Sequence, residues 1–178
     1  MRIGIDIDGT INNLADVVRP LLEIHYGIKP IYDQYNLFGD MTSKQIDEFE
    51  KRFHATLMTK VKPLKNAKNV IHKLKKDGHS ILIITARDAE KDLKSTIDWF
   101  KINNFDLNDF DGFCFNKHNK AETCIDYNVD LMIDDCPKHL IDLWANDIST
   151  LKINHPYNVN VLSTYSAYNW DEIFDIIG

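Results

Sequence analysis

Four short apolar runs constrain this chain more than any other feature: Ile3-Gly4-Ile5, Ile81-Leu82-Ile83-Ile84, Phe113-Cys114-Phe115 and Leu131-Met132-Ile133. None alternates polar with apolar residues. Each therefore reads as a strand buried on both faces, the mark of a parallel sheet covered by helices. A fifth such run lies around residues 149–153. Helical patterns separate the runs. Residues 66–76 place Val70, Ile71 and Leu74 on one face and end in Lys75, Lys76 and a capping Gly78. Asp88 is placed to cap a helix that buries Leu93, Ile97 and Phe100. Pro137 suits the first turn of a helix carrying Leu140, Leu143 and Trp144. Strand-helix alternation of this kind predicts an α/β fold, a Rossmann-like parallel sheet with helices on both faces.

One stretch breaks the alternation. After the first run there is no convincing strand before Lys65. Asn12 or Asn13 can start a helix with Leu14, Val17, Val18, Leu21 and Leu22 on one face. Thr42 can start another with Ile46, Phe49, Phe53 and Leu57. We therefore expect a small helical cap, residues 12–66, inserted after the first strand. The catalytic core then comprises residues 1–11 and 67–178. Tyr26, Tyr32, Tyr35 and Phe38 fall in this insert. A cap so small needs aromatics for its own core, and aromatic faces also bind nucleobases.

Bulk properties narrow the partners. The chain has 178 residues and a formal net charge of −6, a poor match to an extended nucleic-acid track. No apolar run approaches the roughly 18 residues of a membrane helix. The opening apolar run is cut by Asp6, unlike a secretory leader. Cys114, Cys124 and Cys136 fit no zinc spacing and read as reduced structural thiols. A cytoplasmic protein is expected.

The polar residues that follow the strands carry the chemistry. Asp6 and Asp8 follow the first, Thr85 and Arg87 the second, Lys117 and Lys120 the third, Asp134 and Asp135 the fourth. In a parallel sheet these ends share one edge, where ligands of open α/β sheets bind. Two unit charges ~4 Å apart repel by about 4 kcal/mol at an effective dielectric of 20. Four clustered carboxylates must therefore hold a cation or protons. Oxygen ligands of this kind suit Mg2+, which attracts a substrate phosphate in turn. Asp6 can attack phosphorus and form an aspartyl-phosphate. Asp8 can act as acid and then base, given a raised pKa from its carboxylate neighbours. The Thr85 hydroxyl can hold phosphoryl oxygens. Gly9 lets the chain turn away tightly.

On these residues the chain resembles the haloacid dehalogenase-like superfamily. The first motif is Asp6-Ile7-Asp8-Gly9-Thr10, the second Ile83-Ile84-Thr85-Ala86-Arg87, and the fourth Ile133-Asp134-Asp135. The resemblance implies a third-motif lysine, for which Lys120 is preferred to Lys117. It also implies a phosphatase that binds Mg2+ through Asp6, the backbone carbonyl of Asp8 and one of Asp134 and Asp135. The cap, the Thr-Ala-Arg form of the second motif and the Leu131-Met132-Ile133-Asp134-Asp135 run are similar to the 5'(3')-deoxyribonucleotidase-like branch. So are His155-Pro156-Tyr157-Asn158 and Trp170-Asp171-Glu172-Ile173. A small phosphorylated substrate is implied, a nucleoside or deoxynucleoside monophosphate. Arg87 and Lys117 then read as substrate contacts. Alternatively, Arg87 pairs with Asp88 and Lys117 is simply solvated. His155, Tyr157 and Asn158 form a loop near the same edge, held by ordinary hydrogen bonds or open to a ligand.

Overall fold

The computed structural model describes residues 1–178. Its sheet contains β1 (Arg2–Ile5), β2 (Ser80–Ile84), β3 (Gly112–Cys114), β4 (Leu131–Asp134), β5 (Thr150–Ile153) and β6 (Tyr165–Ala167). The order is β3-β2-β1-β4-β5-β6, and every pairing is parallel. The chain winds outward from β1 in one direction, then crosses back to β4 and winds out in the other. The topological switch, and with it the ligand crevice, lies between β1 and β4.

The five expected strands are present. Their residues alternate between two apolar layers, which explains the unbroken apolar runs. Ile81 and Ile83 of β2 join Ile3, Ile5, Leu131 and Ile133 on one face. Leu82 and Ile84 join Met132 on the other. The first face is covered by α3 (Ala67–Lys76), α4 (Ala89–Ile102) and α7 (Trp170–Ile177), through Val70, Leu74, Trp99, Phe100, Trp170 and Ile173. The second is covered by α5 (Lys120–Asp126) and α6 (Pro137–Ala145), through Ala121, Cys124 and Leu143. Gly4 sits where this second layer is tightest. A Cβ there would lie 2.7 Å from Met132 Sδ and 2.9 Å from Ile84 Cδ1.

Helix ends follow local chemistry. Asp88 Oδ1 accepts the Glu90 and Lys91 N–H groups, and Thr42 forms a capping box with Gln45. Two expected core positions are corrected. Leu93 and Trp144 are 46% and 50% exposed. Their helices pack a narrower face than the spacing implied, centred on Thr96, Trp99 and Phe100 in α4 and on Leu140 and Leu143 in α6. β6 was not foreseen, because Tyr-Ser-Ala is short and lacks an apolar run.

Between β1 and α3 lie α1 (Leu14–Tyr26) and α2 (Ser43–Lys60), with no strand. Val18, Leu22, Phe49 and Phe53 form their own small core, flanked by half-buried Leu21, Ile28, Leu37, Phe38 and Met41. The chain leaves and re-enters the sheet side by side. Leu64 N donates to Ile11 O at 2.7 Å, and Asn13 N to Lys62 O at 3.0 Å. No helix is long and apolar enough to cross a membrane.

Candidate active site

The edge formed by the C-terminal ends of β1, β2 and β4 collects residues from remote parts of the sequence. Asp6 continues β1, with its N–H donated to Ile133 O at 3.0 Å. The next turn folds around one carbonyl, that of Ile7, which accepts from Ile11 N at 2.8 Å and Asn12 N at 3.1 Å. Carboxylate oxygens of Asp6, Asp134 and Asp135 lie within 4.8 Å of one another, and all three residues are buried. Lys120 is not at a strand end. It opens α5 and is buried, donating to Asp6 Oδ1 at 2.6 Å and Asp134 Oδ2 at 2.7 Å.

These contacts divide the carboxylates. Burial opposes the Asp134 charge, but Lys120 and His139 outweigh it and hold that carboxyl at about 2. Burial pushes Asp6 up to about 6, with Lys120 opposing and the Asp134 and Asp8 charges adding. Burial also raises Asp135 well above the ordinary carboxylate range, reinforced by Asp134 and Asp6. Two cations, Lys120 and a His139 pushed up to about 9, thus face three carboxylates; both contact Asp134, and the uncompensated charge falls on Asp6 and Asp135.

Asp8 behaves otherwise than expected. Burial would raise its pKa, yet Arg87 and Asn12 leave it below the ordinary value. Arg87 clasps Asp8 through both carboxylate oxygens, at 2.8 and 2.5 Å, and its remaining amino group donates to Thr96 Oγ1 at 3.0 Å. Asn12 Nδ2 adds a bond of 2.9 Å to Asp8 Oδ1. The Arg87 guanidinium is thus occupied by Asp8 and not by Asp88. The Asp8 carboxylate stands apart from the trio of Asp6, Asp134 and Asp135. Thr85 is buried at the end of β2, where its hydroxyl accepts the Arg87 N–H at 3.2 Å. Lys117 is tied to the same strand end by its backbone N–H to Thr85 O at 2.9 Å. Its side chain pairs with none of these carboxylates.

Three residues that the sequence offered either as a hydrogen-bonded loop or as a ligand-binding one touch the site directly. Tyr157 donates its hydroxyl to Asp135 Oδ2 at 2.5 Å, and Asn158 Nδ2 donates to Asp135 O at 2.8 Å. His155 Nε2 donates to Gly9 O at 2.8 Å. The signal available was the position of His155-Pro156-Tyr157-Asn158 after the fifth strand, on the active edge. Gly9 has a φ of +82°, and a Cβ there would collide with the Asp135 carboxylate. The glycine thus permits both the turn and the close approach of Asp135.

A cleft of about 430 Å³ opens between this edge and the helical insert. Its walls include Asp8, Gly9 and Asp135 below, Leu14 and Phe38 from the insert, and the paired rings of Tyr35 and Tyr157. Those two rings meet edge to face with centroids 5.5 Å apart. The insert aromatics divide accordingly. Phe38 and Tyr26 pack on Phe49, Tyr32 lies under the Arg19 guanidinium, and Tyr35 faces the cleft.

The donor set fits a hard divalent cation. The three ligand groups are buried carboxylates, and they carry more negative charge than Lys120 and His139 together balance. Asp134 is already consumed by Lys120 and by the Cys136 N–H at 2.9 Å, whereas Asp6 and Asp135 keep unmatched charge.

A sequence model of the family described as "5' nucleotidase, deoxy (Pyrimidine), cytosolic type C protein" matches residues 1–178. No protein with a curated description matches the chain significantly. Among solved structures, a protein from Clostridium acetobutylicum described as a predicted phosphatase superposes with a TM-score of 0.73 at 14% identity, covering 99% of this chain and 97% of that one. A haloacid dehalogenase-like family hydrolase from Streptococcus pneumoniae gives 0.71 at 16% identity, covering 99% and 98%. A protein from Haemophilus somnus described as a phosphoglycolate phosphatase gives 0.69 at 12%, covering 99% and 97%. At these identities the structures share the fold.

Proposed function

The chain belongs to the family of 5' nucleotidases, deoxy (pyrimidine), cytosolic type C, within the haloacid dehalogenase-like phosphatases; on that footing, we propose that it is a Mg2+-dependent nucleotidase acting through an aspartyl-phosphate. The observation that carries this reading is the buried trio Asp6, Asp134 and Asp135 with Lys120 pinned between two of them. In our assignment Asp6 attacks phosphorus with one carboxylate oxygen, while Lys120 holds the other in line. Asp6 and Asp135 would hold the cation, together with the Asp8 carbonyl, and Asp134 fixes Lys120. A cation held there would supply charge neutralisation for the phosphoryl oxygens. Thr85 and neighbouring amides hold those oxygens. Asp8 is oriented by Arg87 and Asn12, which keep it ionised in the empty site; substrate entry must loosen the Arg87 clasp for Asp8 to carry the proton it gives to the leaving oxygen, after which it takes one from water. Lys117 belongs to the rim of the phosphate site. Residues 12–66 act as the cap over the core formed by 1–11 and 67–178.

The cleft supports a nucleoside leaving group. Its walls carry two carboxylates and no Lys or Arg, so a second anionic group on the substrate meets repulsion. Flat neutral surface meets Tyr35, Phe38 and Tyr157 instead. A phosphoglycolate substrate, whose leaving group bears a carboxylate, fits this lining poorly. The three cysteines are free and buried, in keeping with a reducing cytoplasm. The test is a Mg2+-dependent assay with p-nitrophenyl phosphate, nucleoside and deoxynucleoside monophosphates, and phosphoglycolate. Chelator-sensitive turnover with the nucleotides well ahead is expected. Turnover unaffected by chelation would overturn the mechanism, and equal feeble rates on all nucleotides would overturn the substrate.

A further inference from the structure

Apart from the Tyr157 ring as a wall of the cleft, the tail segment His155-Pro156-Tyr157-Asn158 has no role in the chemical steps above, yet it touches two of the site's motifs at once. We infer that Tyr157, with His155 and Asn158, is a positioning element that locks Asp135 and the Gly9 turn in the geometry a bound cation requires. The inference rests on the magnesium-phosphatase reading of the site and names what holds one of its carboxylates.

The physical need comes first. Asp135 lies against Asp6 and Asp134, and like charges drive such a side chain away unless donors hold it. Both of its oxygens are held. Thr10 donates its hydroxyl to Oδ1 at 3.1 Å, and Tyr157 donates to Oδ2 at 2.5 Å. Each oxygen keeps a further lone pair for a cation. The backbone beneath is also held, because Asn158 Nδ2 bridges Asp135 O at 2.8 Å and Ile153 O at 2.9 Å. Asp135 is thereby tied to the end of β5.

The segment is itself braced. The His155 and Tyr157 rings stack almost parallel, at 8° and 5.0 Å between centroids. His155 donates from Nε2 to the Gly9 carbonyl, and its backbone N–H donates to Asn158 Oδ1 at 2.9 Å. The buried Lys152 has no carboxylate partner. It spends its ammonium on the carbonyls of Asn158 and Val161, at 2.9 and 2.8 Å. The first and fourth motifs are therefore clamped to each other through the tail. Donors that orient a ligating group change metal affinity by roughly 10- to 100-fold when removed.

The decisive variant is Tyr157→Phe, which removes the donor but keeps the ring, its stack on His155 and its contact with Tyr35. Thermal melting checks that it folds. Calorimetric titration with magnesium should show affinity weaker by roughly tenfold or more. Excess magnesium should restore the turnover of p-nitrophenyl phosphate. His155→Gln, whose amide can still reach the Gly9 carbonyl, should stay near wild type, while His155→Leu should lose affinity. Wild-type magnesium affinity in Tyr157→Phe overturns the inference. So does a rise in nucleotide KM alone, which would make Tyr157 a wall of the cleft only. A wild-type protein that binds no magnesium removes the phosphatase reading and this inference with it. A wild type that binds and hydrolyses normally beside an unaltered Tyr157→Phe removes only this one.

Discussion

The sheet edge and the helical insert face each other across one cleft, and they are built on opposite principles. The edge is buried, charged and over-determined. Asp6, Asp134, Asp135 and Lys120 are each nine-tenths or more out of solvent, and their side chains are held by named partners. The insert's own core has only four buried apolar residues, and Ile31, Tyr32 and Tyr35 are exposed. Its ties to the core include the paired segments at its base, the Trp99 Nε1 bond to Val61 O, the Tyr35–Tyr157 ring contact, half-buried Leu14, Val17, Leu57 and Met58, and an exposed ion pair between Lys91 and Asp47. Displaced charges at the edge would cost chemistry, so the edge is rigid. The insert has only to fit a leaving group, so it needs shape and little more. Under the proposed function, turnover belongs to the edge and selectivity to the insert.

The largest effect should come from Asp6→Asn. Loss of the nucleophile should lower kcat by roughly 10⁴-fold or more. Neither region should unfold. Because the buried Asp6 charge opposes folding, magnesium-free Asp6→Asn should melt at or above the wild-type temperature. A marked fall in melting temperature would show that the edge is held together by Asp6, against the view taken here.

Phe49→Ala attacks the other side. Phe49 is fully buried and contacts Tyr26, Phe38 and Phe53, so truncation should cost about 3–5 kcal/mol within the insert. Hydrogen exchange should speed up in α1 and α2 and stay slow in β1, β2 and β4. Nucleotide KM should rise while p-nitrophenyl phosphate turnover persists. Loss of both activities together would erase the proposed division of labour.

Gly9→Ala tests how tightly the edge is set. The positive φ and the collision with Asp135 displace a carboxylate by a fraction of an ångström or more. A drop in kcat of about 100-fold, with a modest melting shift, is the expected pattern. Activity near wild type would mean that Asp135 has room to move.

Arg87→Met should have the smallest effect, and a pH-dependent one. Asp8 titrates below its ordinary value of 3.8 because Arg87 outweighs its burial. The pair thus stabilises the fold fully above 3.8, and the benefit fades as pH falls through the depressed value. Urea unfolding at pH 7 should show a loss of about 1–3 kcal/mol that shrinks in acid. A loss independent of pH would mean that Arg87 acts through packing on α4.

The sheet was legible because strands buried on both faces must be apolar throughout, and β1 to β5 all show that pattern. Helix existence was legible from spacing, but face width was not. Leu93 and Trp144 keep the helical period and still point to solvent, because periodicity does not say where the neighbouring layer ends. At the site, Asp6, Asp134 and Asp135 were marked by their places at strand ends, and those places do converge. Three features were not legible. Lys120 is marked as the site lysine by the resemblance, but its shared pairing with Asp6 and Asp134 from the first turn of α5 is not. Arg87 turns to Asp8, across a separation of 79 residues, and not to the adjacent Asp88. Tyr157 finds Asp135 only because β5 and its following loop lie beside β4.

By itself, the sequence determined the layered α/β fold, the insertion after β1 and the acidic character of the shared edge, since these follow from local periodicity and from strand ends in a parallel sheet. Tertiary structure decided which carboxylate each cation and hydroxyl serves. Lys120 takes Asp6 and Asp134, Arg87 takes Asp8, and Tyr157 takes Asp135. Those choices depend on ångström-scale distances between segments remote in the chain, and electrostatic and hydrogen-bond energies change steeply over that range.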